Sequence, residues 1–159
     1  MQHTNRKVKQ IIAPQTVIEG ADVLLRRSFG PQRSNLFDPF LLFDHFAFND
    51  PLEGPIQGFP THPHRGIETV TYMLRGSVRH RDSLGNMGII GPGDVQWMTS
   101  GRGIMHEELP HRDPEGIIQG FQLWVNLPAA QVVTVDNGHF PYLITPEFYN
   151  QTLVTFFGQ

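Results

Sequence analysis

The chain has 159 residues, a net charge of −3 with neutral histidine, and no cysteine. This length suits one domain with a hydrophobic core, and the charge shows no basic excess of the kind that a dedicated nucleic-acid-binding protein carries. The absence of cysteine excludes disulfides, zinc–thiolate sites, iron–sulfur clusters and cysteine nucleophiles. Any bound metal must therefore take nitrogen and oxygen ligands.

The opening residues, "MQHTNRKVKQIIAP", lack the apolar segment of a secretory signal. No run in the chain approaches the roughly 18 apolar residues that a membrane-spanning helix needs. We therefore expect a cytoplasmic protein that does not contact a membrane.

Short apolar runs separated by glycine and proline predict an all-β domain. In chain order, strands are predicted at residues 8–12 and 23–29, and then in "DPFLLFDHFAFND", "IETVTYML", "SVRHRDS", "MGII", "VQWMTS", "IMHEEL" and "IIQGFQLWVNL". They recur about every ten residues, which is the spacing of a sandwich or barrel of about eight strands. No helix is predicted in the core.

Two histidines, His62 and His64, are separated by one residue. Side chains at i and i+2 of a strand point to the same face, about 6.6 Å apart along the strand. Since a first-row metal binds histidine nitrogen at about 2.0–2.2 Å, two imidazoles reaching inward from this spacing can meet on one ion.

A second pair with the same spacing, His106 and Glu108, lies about forty residues further along the chain. A strand there would turn both side chains inward and leave Glu107 outward. Together the two pairs predict a site with three imidazoles and one carboxylate, for which iron(II), manganese, nickel, copper and zinc all remain candidates. Four protein ligands on a six-coordinate ion would leave two positions for a substrate oxygen and O2. The alternative is that His62 and His64 lie in a surface loop while His106 caps a turn.

Other polar and aromatic residues are less decisive. Glu68 shares a face with the two histidines by alternation, so it is either a fifth ligand or, as we favour, an outer partner that orients a histidine. His80 is interpreted as a polar strand residue rather than a ligand, and His45 either as a core histidine or as part of a pocket. The residues expected to shape a pocket at the barrel mouth are Phe59, Met73 and Trp97.

The sequence resembles the pirin family of the cupin superfamily. The resemblance is carried by "HPHRGIETVTYMLRGSVRHRDSLGN", "GPGDVQWMTSGRGIMHEELP" and "QLWVNLP", and it covers roughly residues 8–128. It implies a single cupin domain, a double-stranded β-helix or jelly-roll barrel, over residues 1–128. It also implies one metal ion, usually iron, held by residues that match His62, His64, His106 and Glu108, with Glu68 outside the ligand set.

Members of this family are usually about twice as long and contain two cupin domains. The tail at residues 129–159 does not resemble the second domain, so we expect it to cover the barrel or to mediate a subunit contact. We expect a homodimer to replace the two-domain form; a truncated gene product is the alternative.

The resemblance implies two functions. One is a quercetin 2,3-dioxygenase-type reaction on a flavonol or catechol-like aromatic substrate and O2, with Glu108 as the candidate base. The other is a non-catalytic, metal- or redox-dependent interaction module that acts as a transcription co-regulator without contacting nucleic acid itself. A third hypothesis is a cupin that has lost its metal.

Overall fold

The computed structural model describes residues 7–31, 36–48, 58–128 and 154–156. These residues form eleven strands and no α-helix, which confirms the all-β prediction. The strands are β1 (Gln15–Glu19), β2 (Val23–Phe29), β3 (Phe40–Phe48), β4 (Phe59–His64), β5 (Ile67–Arg75), β6 (Ser77–Asp82), β7 (Met87–Ile90), β8 (Val95–Thr99), β9 (Ile104–His111), β10 (Ile118–Asn126) and β11 (Val154–Phe156).

The strands form two antiparallel sheets. The larger sheet has seven strands in the order β1-β2-β3-β10-β5-β8-β11, and the smaller sheet has four in the order β4-β9-β6-β7. Strands that are distant in the sequence lie side by side in each sheet: β10 lies between β3 and β5, and β9 lies between β4 and β6. This strand order is that of a jelly-roll sandwich of the cupin type. Within the part of the chain that the structure describes, the sheets remain two separate hydrogen-bonded units and do not close into a continuous barrel.

The hydrophobic core lies between the two sheets. Alternation along β5 and β6 buries Met73 and Val78, while Arg79 and Arg81 of β6 face outward. The core cluster is completed by residues from β2, β3, β7 and β10, namely Val23, Leu25, Phe46, Ile90 and Ile118. The alternating apolar residues that predict these strands are thus the residues that pack one sheet against the other.

The strand predicted at residues 8–12 is wrong. Residues 7–14 form no strand, and Val8 and Ile11 are exposed. The first strand begins at Gln15, where the chain pairs with β2 in the register Gln15↔Arg27 to Glu19↔Val23. Alternating β-branched residues favour an extended chain only where a neighbouring strand and a buried face are available.

The predicted tail lies almost entirely outside the described residues. Its described part is β11, which pairs with β8 in the register Val154↔Trp97 to Phe156↔Val95 and so adds a strand to the larger sheet. The domain boundary at residue 128 and the role of residues 129–159 therefore remain predictions.

Candidate metal centre

The histidine pair His62 and His64 lies on β4, which is not among the strands predicted from the apolar pattern, although the i, i+2 argument for this pair assumes an extended segment here. Pro60 and Pro63 interrupt its pattern, yet β4 is an edge strand of the smaller sheet, where proline is tolerated because one side needs no hydrogen bonds. Pro63 is exposed, whereas both histidines are half-buried, so the alternation turns the two imidazoles inward as expected.

The third histidine comes from the neighbouring strand, β9. His106 is the direct cross-strand partner of His62, and it is almost completely buried. The Nε2 atom of His62 lies 3.1 Å from Nε2 of His64 and 2.9 Å from Nε2 of His106. Three imidazole nitrogens from two strands therefore converge on one small volume.

The tautomer of His62 follows from its surroundings. Its Nδ1 lies 2.8 Å from the carbonyl oxygen of Pro60, and because a carbonyl only accepts, Nδ1 must carry the proton. In the neutral ring the lone pair is then on Nε2, the atom that faces His64 and His106. A lone pair aimed at two other imidazole nitrogens is what a metal-binding histidine requires.

The electrostatics keep the rings of His64 and His106 neutral near pH 7. Burial, together with the smaller effect of the positive charge that His62 would carry, lowers the pKa of His64 to about 4. Burial also lowers the pKa of His106 to about 2, with the charges of His62, His64 and His80 as additional causes. Neutral imidazole is the form that binds a metal, so near neutral pH these two histidines need not lose a proton to do so.

The three histidines fit a divalent transition-metal ion. Two nitrogens that each bind one ion at about 2.0–2.1 Å lie no more than about 4.2 Å apart. The observed separations of 2.9 and 3.1 Å fall within that limit. The alternative in which these histidines lie apart in a loop and a turn is not what the structure shows.

Glu108, the fourth predicted ligand, does not join the three histidines in this structure. It shares the inward face of β9 with His106 and is buried. Its carboxylate accepts hydrogen bonds from Gln122 Nε2 at 3.3 Å and from Thr71 Oγ1 at 3.4 Å, both on the larger sheet. Glu107 lies on the other face and pairs with Arg81.

A cavity of about 460 Å³ opens beside the histidines. His62, His64 and Glu108 contribute to its wall, so the proposed ligands face a common space. Apolar wall residues include Phe59, as predicted, together with Leu42 and Trp124, whose ring packs edge-on against His64 at 5.1 Å between centroids.

Two pocket predictions are wrong. Met73 is completely buried in the core, and Trp97 is 43% exposed on the strand that pairs with β11, so neither residue lines this cavity. Both lie on strands of the larger sheet whose alternation phase was not evident from the sequence. Trp124 on β10 occupies the wall position instead.

Comparison with known proteins gives the family. The family described as Pirin matches residues 22–125, which is well over half of the chain. The chain belongs to the pirin family. The matched range contains all four predicted ligands, His62, His64, His106 and Glu108.

Named relatives agree with the pirin assignment. A pirin-like protein of Caulobacter vibrioides is 52% identical over 124 residues, which cover 78% of this chain and 44% of that protein. A solved structure of quercetin 2,3-dioxygenase from Acinetobacter baumannii is 34% identical with a TM-score of 0.68, and the match covers 91% of this chain and 46% of that one. A bacterial pirin of Escherichia coli, solved in complex with nickel(II), is 28% identical with a TM-score of 0.54 over 71% of this chain and 48% of that one.

The chain therefore spans less than half the length of the pirin relatives it matches. Among the described residues, no helix is both long enough and apolar enough to cross a membrane.

Two outer residues of this pirin site can now be placed. Glu68 lies outside the histidine group, and its carboxylate accepts a hydrogen bond from Thr99 Oγ1 at 3.0 Å. His45 does not line the cavity; it packs against Phe121 and lies 3.2 Å from Gln119 Nε2. Burial lowers the pKa of His45, and the charge of Arg26 contributes.

Gln122 and Trp124 in the pirin cavity were not predicted from the sequence, and neither was the full burial of His80 behind His106. Gln122 and Trp124 alternate on β10 with residues of the opposite face, but only the pairing of β10 with β5 shows which set faces the histidines. For His80 a signal existed, since it shares its face with apolar Val78 and not with Arg79.

Proposed function

We propose that this chain is a metal-dependent dioxygenase domain of the quercetin 2,3-dioxygenase type, acting on a flavonol or catechol-like substrate. The observation that carries the proposal is the convergence of three imidazoles beside a cavity large enough for a small aromatic molecule. Iron(II) is our first choice of ion, with nickel, manganese, copper and zinc as alternatives. The named dioxygenase of Acinetobacter baumannii supports the choice of reaction.

In this proposal His62, His64 and His106 hold the ion, and Glu108 completes the ligand set. A bound divalent ion would act as a Lewis acid and as a template that brings a substrate oxygen and O2 together. The protein supplies the imidazole lone pairs of the three histidines, and the β4–β9 pairing sets the positions of these residues.

Glu108 is the proposed base for the substrate hydroxyl. It is buried beside the cavity, and its carboxylate is oriented by Gln122 and Thr71. Proton transfer needs the base within hydrogen-bond reach of the hydroxyl, and a fixed carboxylate at the cavity wall provides such a position.

The cavity walls provide the remaining functions. Phe59, Leu42 and Trp124 offer apolar surface on which an aromatic ring can pack. A substrate ring packed on these side chains would exclude water from the region around the histidines, which would strengthen electrostatic interactions there. These residues are therefore expected to set the preference for aromatic substrates.

The test is an aerobic assay of the iron(II)-loaded chain with quercetin and with simple catechols, following substrate absorbance and O2 uptake. We expect turnover by the unmodified chain, and its loss in Glu108→Gln if that variant still retains about one equivalent of metal. His45→Asn, on the outer side of the larger sheet, is the matched control and should keep its activity.

Failure of the metal-loaded chain to turn over any of these substrates would contradict the proposal. If a protein partner then bound only the metal-loaded form, the non-catalytic interaction module would replace it. Metal content well below one equivalent in gently purified protein would instead favour a cupin without metal.

A further inference from the structure

β6 carries a histidine that lies directly behind the proposed metal ligand His106. His80 has no exposed surface, and its Nδ1 lies 3.4 Å from Nδ1 of His106. This contact is on the opposite side of the His106 ring from Nε2, the atom that faces His62 and His64. His80 therefore contacts the ligand without being part of the ligand group.

The other nitrogen of His80 faces a carboxylate. His80 Nε2 is buried without a hydrogen-bond partner among the described residues, and it lies 3.6 Å from Asp82 Oδ2. The side chains of His80 and Asp82 are both completely inaccessible to solvent. An N–H on this buried nitrogen needs an acceptor. The Asp82 carboxylate, slightly beyond hydrogen-bond length, is in position to be that acceptor.

Asp82 is itself held in a fixed position by the turn that follows β6. Its Oδ1 accepts hydrogen bonds from the backbone N–H groups of Leu84 at 2.9 Å and Asn86 at 3.0 Å. Its Oδ2 accepts a hydrogen bond from Asn86 Nδ2 at 2.8 Å. With this anchoring, the carboxylate cannot turn away from His80 without breaking three hydrogen bonds.

We propose that His80, backed by Asp82, is a positioning residue that keeps the proton of His106 on Nδ1 and its Nε2 lone pair directed at the metal site. An ionised carboxylate only accepts, so when the His80 ring carries a single proton, Asp82 favours that proton on Nε2. His80 Nδ1 is then an acceptor, and it receives the Nδ1–H of His106. The Nε2 of His106 is left bare.

The opposite tautomer would impair metal binding. It would place an N–H on His106 Nε2, which lies 2.9 Å from the lone pair of His62 Nε2. The two ligands would then hydrogen-bond to each other, and that bond would have to break before an ion could enter. The chain from Asp82 through His80 to His106 removes this competition, as outer partners of metal-bound histidines commonly do.

This inference rests on the metal-binding part of the proposed function and does not depend on the substrate. The test compares the metal-free full chain with His80→Leu, His80→Asn and His45→Asn, each titrated with nickel(II) against a chromophoric chelator. We expect His80→Leu to weaken nickel binding by about 10- to 100-fold. His80→Asn should recover most of the affinity because its amide oxygen can occupy the acceptor position, and His45→Asn should match the unmodified chain.

A second measurement keeps the inference testable if His80→Leu fails to fold. Nitrogen-15 NMR of the metal-free, unmodified chain reports directly which ring nitrogen of His106 carries the proton. Protonation on Nδ1 is expected, and protonation on Nε2 would overturn the inference.

Equal nickel affinity of His80→Leu and the unmodified chain, or equal weakening by His80→Leu and His80→Asn, would also overturn it. If the unmodified chain binds no metal although His106 is protonated on Nδ1, the proposed function fails while the tautomer assignment stands.

Discussion

His62 and His106 are direct partners across the β4–β9 ladder, and their Nε2 atoms lie 2.9 Å apart. β4 is an edge strand whose neighbour in the smaller sheet is β9. An ion bound by these two histidines and His64 would therefore link an edge strand to the interior of its sheet.

Metal binding should stabilise the folded chain. A ligand that binds only the folded state adds about 2.7 kcal/mol when its concentration is 100 times its dissociation constant. We expect nickel(II) to raise the thermal unfolding midpoint of the metal-free chain, and a chelator to reverse the shift. His64→Ala should show a much smaller shift, and an equal shift in that variant would place the binding elsewhere.

The stability of the metal-free chain should decrease as the pH falls below about 6.5. The unfolded chain takes up protons on His64 and His106 near their ordinary pKa of about 6.5, whereas the folded chain does so only near pKa values of about 4 and about 2. The contribution of His64 and His106 to the free energy of unfolding is thus complete above about pH 6.5 and is lost as the pH falls toward about 4 and below. Urea unfolding between about pH 5 and 7.5 checks this expectation. His64→Asn should show a shallower dependence, and a slope unchanged by that substitution would contradict the assignment.

Gln122→Leu should destabilise the chain by about 1–3 kcal/mol, because it removes a hydrogen-bond donor from the buried Glu108 carboxylate. The proposed turnover should fall as well, since Glu108 loses its orientation. Gln119→Leu is the matched control on the same strand: Gln119 contacts His45 and does not line the cavity. Denaturant unfolding and the quercetin assay measure the two effects, and equal losses in both variants would argue against a specific role for Gln122.

Gly58→Ala should be more destabilising than Gly85→Ala. Both glycines have positive φ, of 67° and 87°, so the backbone cost of a side chain is similar. A Cβ at Gly58 would meet Pro110 Cδ and would lie 2.5 Å from the carbonyl oxygen of Glu108, whereas a Cβ at Gly85 would meet nothing within 4 Å. Overpacking of this kind costs about 1–3 kcal/mol. Chemical unfolding of both variants tests the difference, and equal losses would show that the β9 backbone shifts without cost.

The histidine cluster was predictable because its information is local. Alternation within β4 and β9 places His62 with His64, and His106 with Glu108, on one face of each strand whatever the rest of the fold does. The convergence of the two pairs depends on the β4–β9 register, which the matched spacing suggested and did not specify.

The cavity was less predictable because its walls come from strands that are distant in sequence. Trp124 and Gln122 face the histidines because β10 inserts between β3 and β5, a pairing that no short motif encodes. The strand prediction for residues 8–12 was wrong for a related reason: a strand needs a neighbouring strand to pair with as well as an alternating sequence.

Glu108 belongs to the smaller sheet, yet its carboxylate is held by Thr71 and Gln122 of the larger one. The carboxylate oxygens of Glu108 that the proposed chemistry requires are thus also the acceptors of hydrogen bonds between the two sheets. Movement of Glu108 toward an ion or a substrate would weaken those hydrogen bonds. Occupancy of the site would therefore reduce the contribution of this side chain to the packing of one sheet on the other.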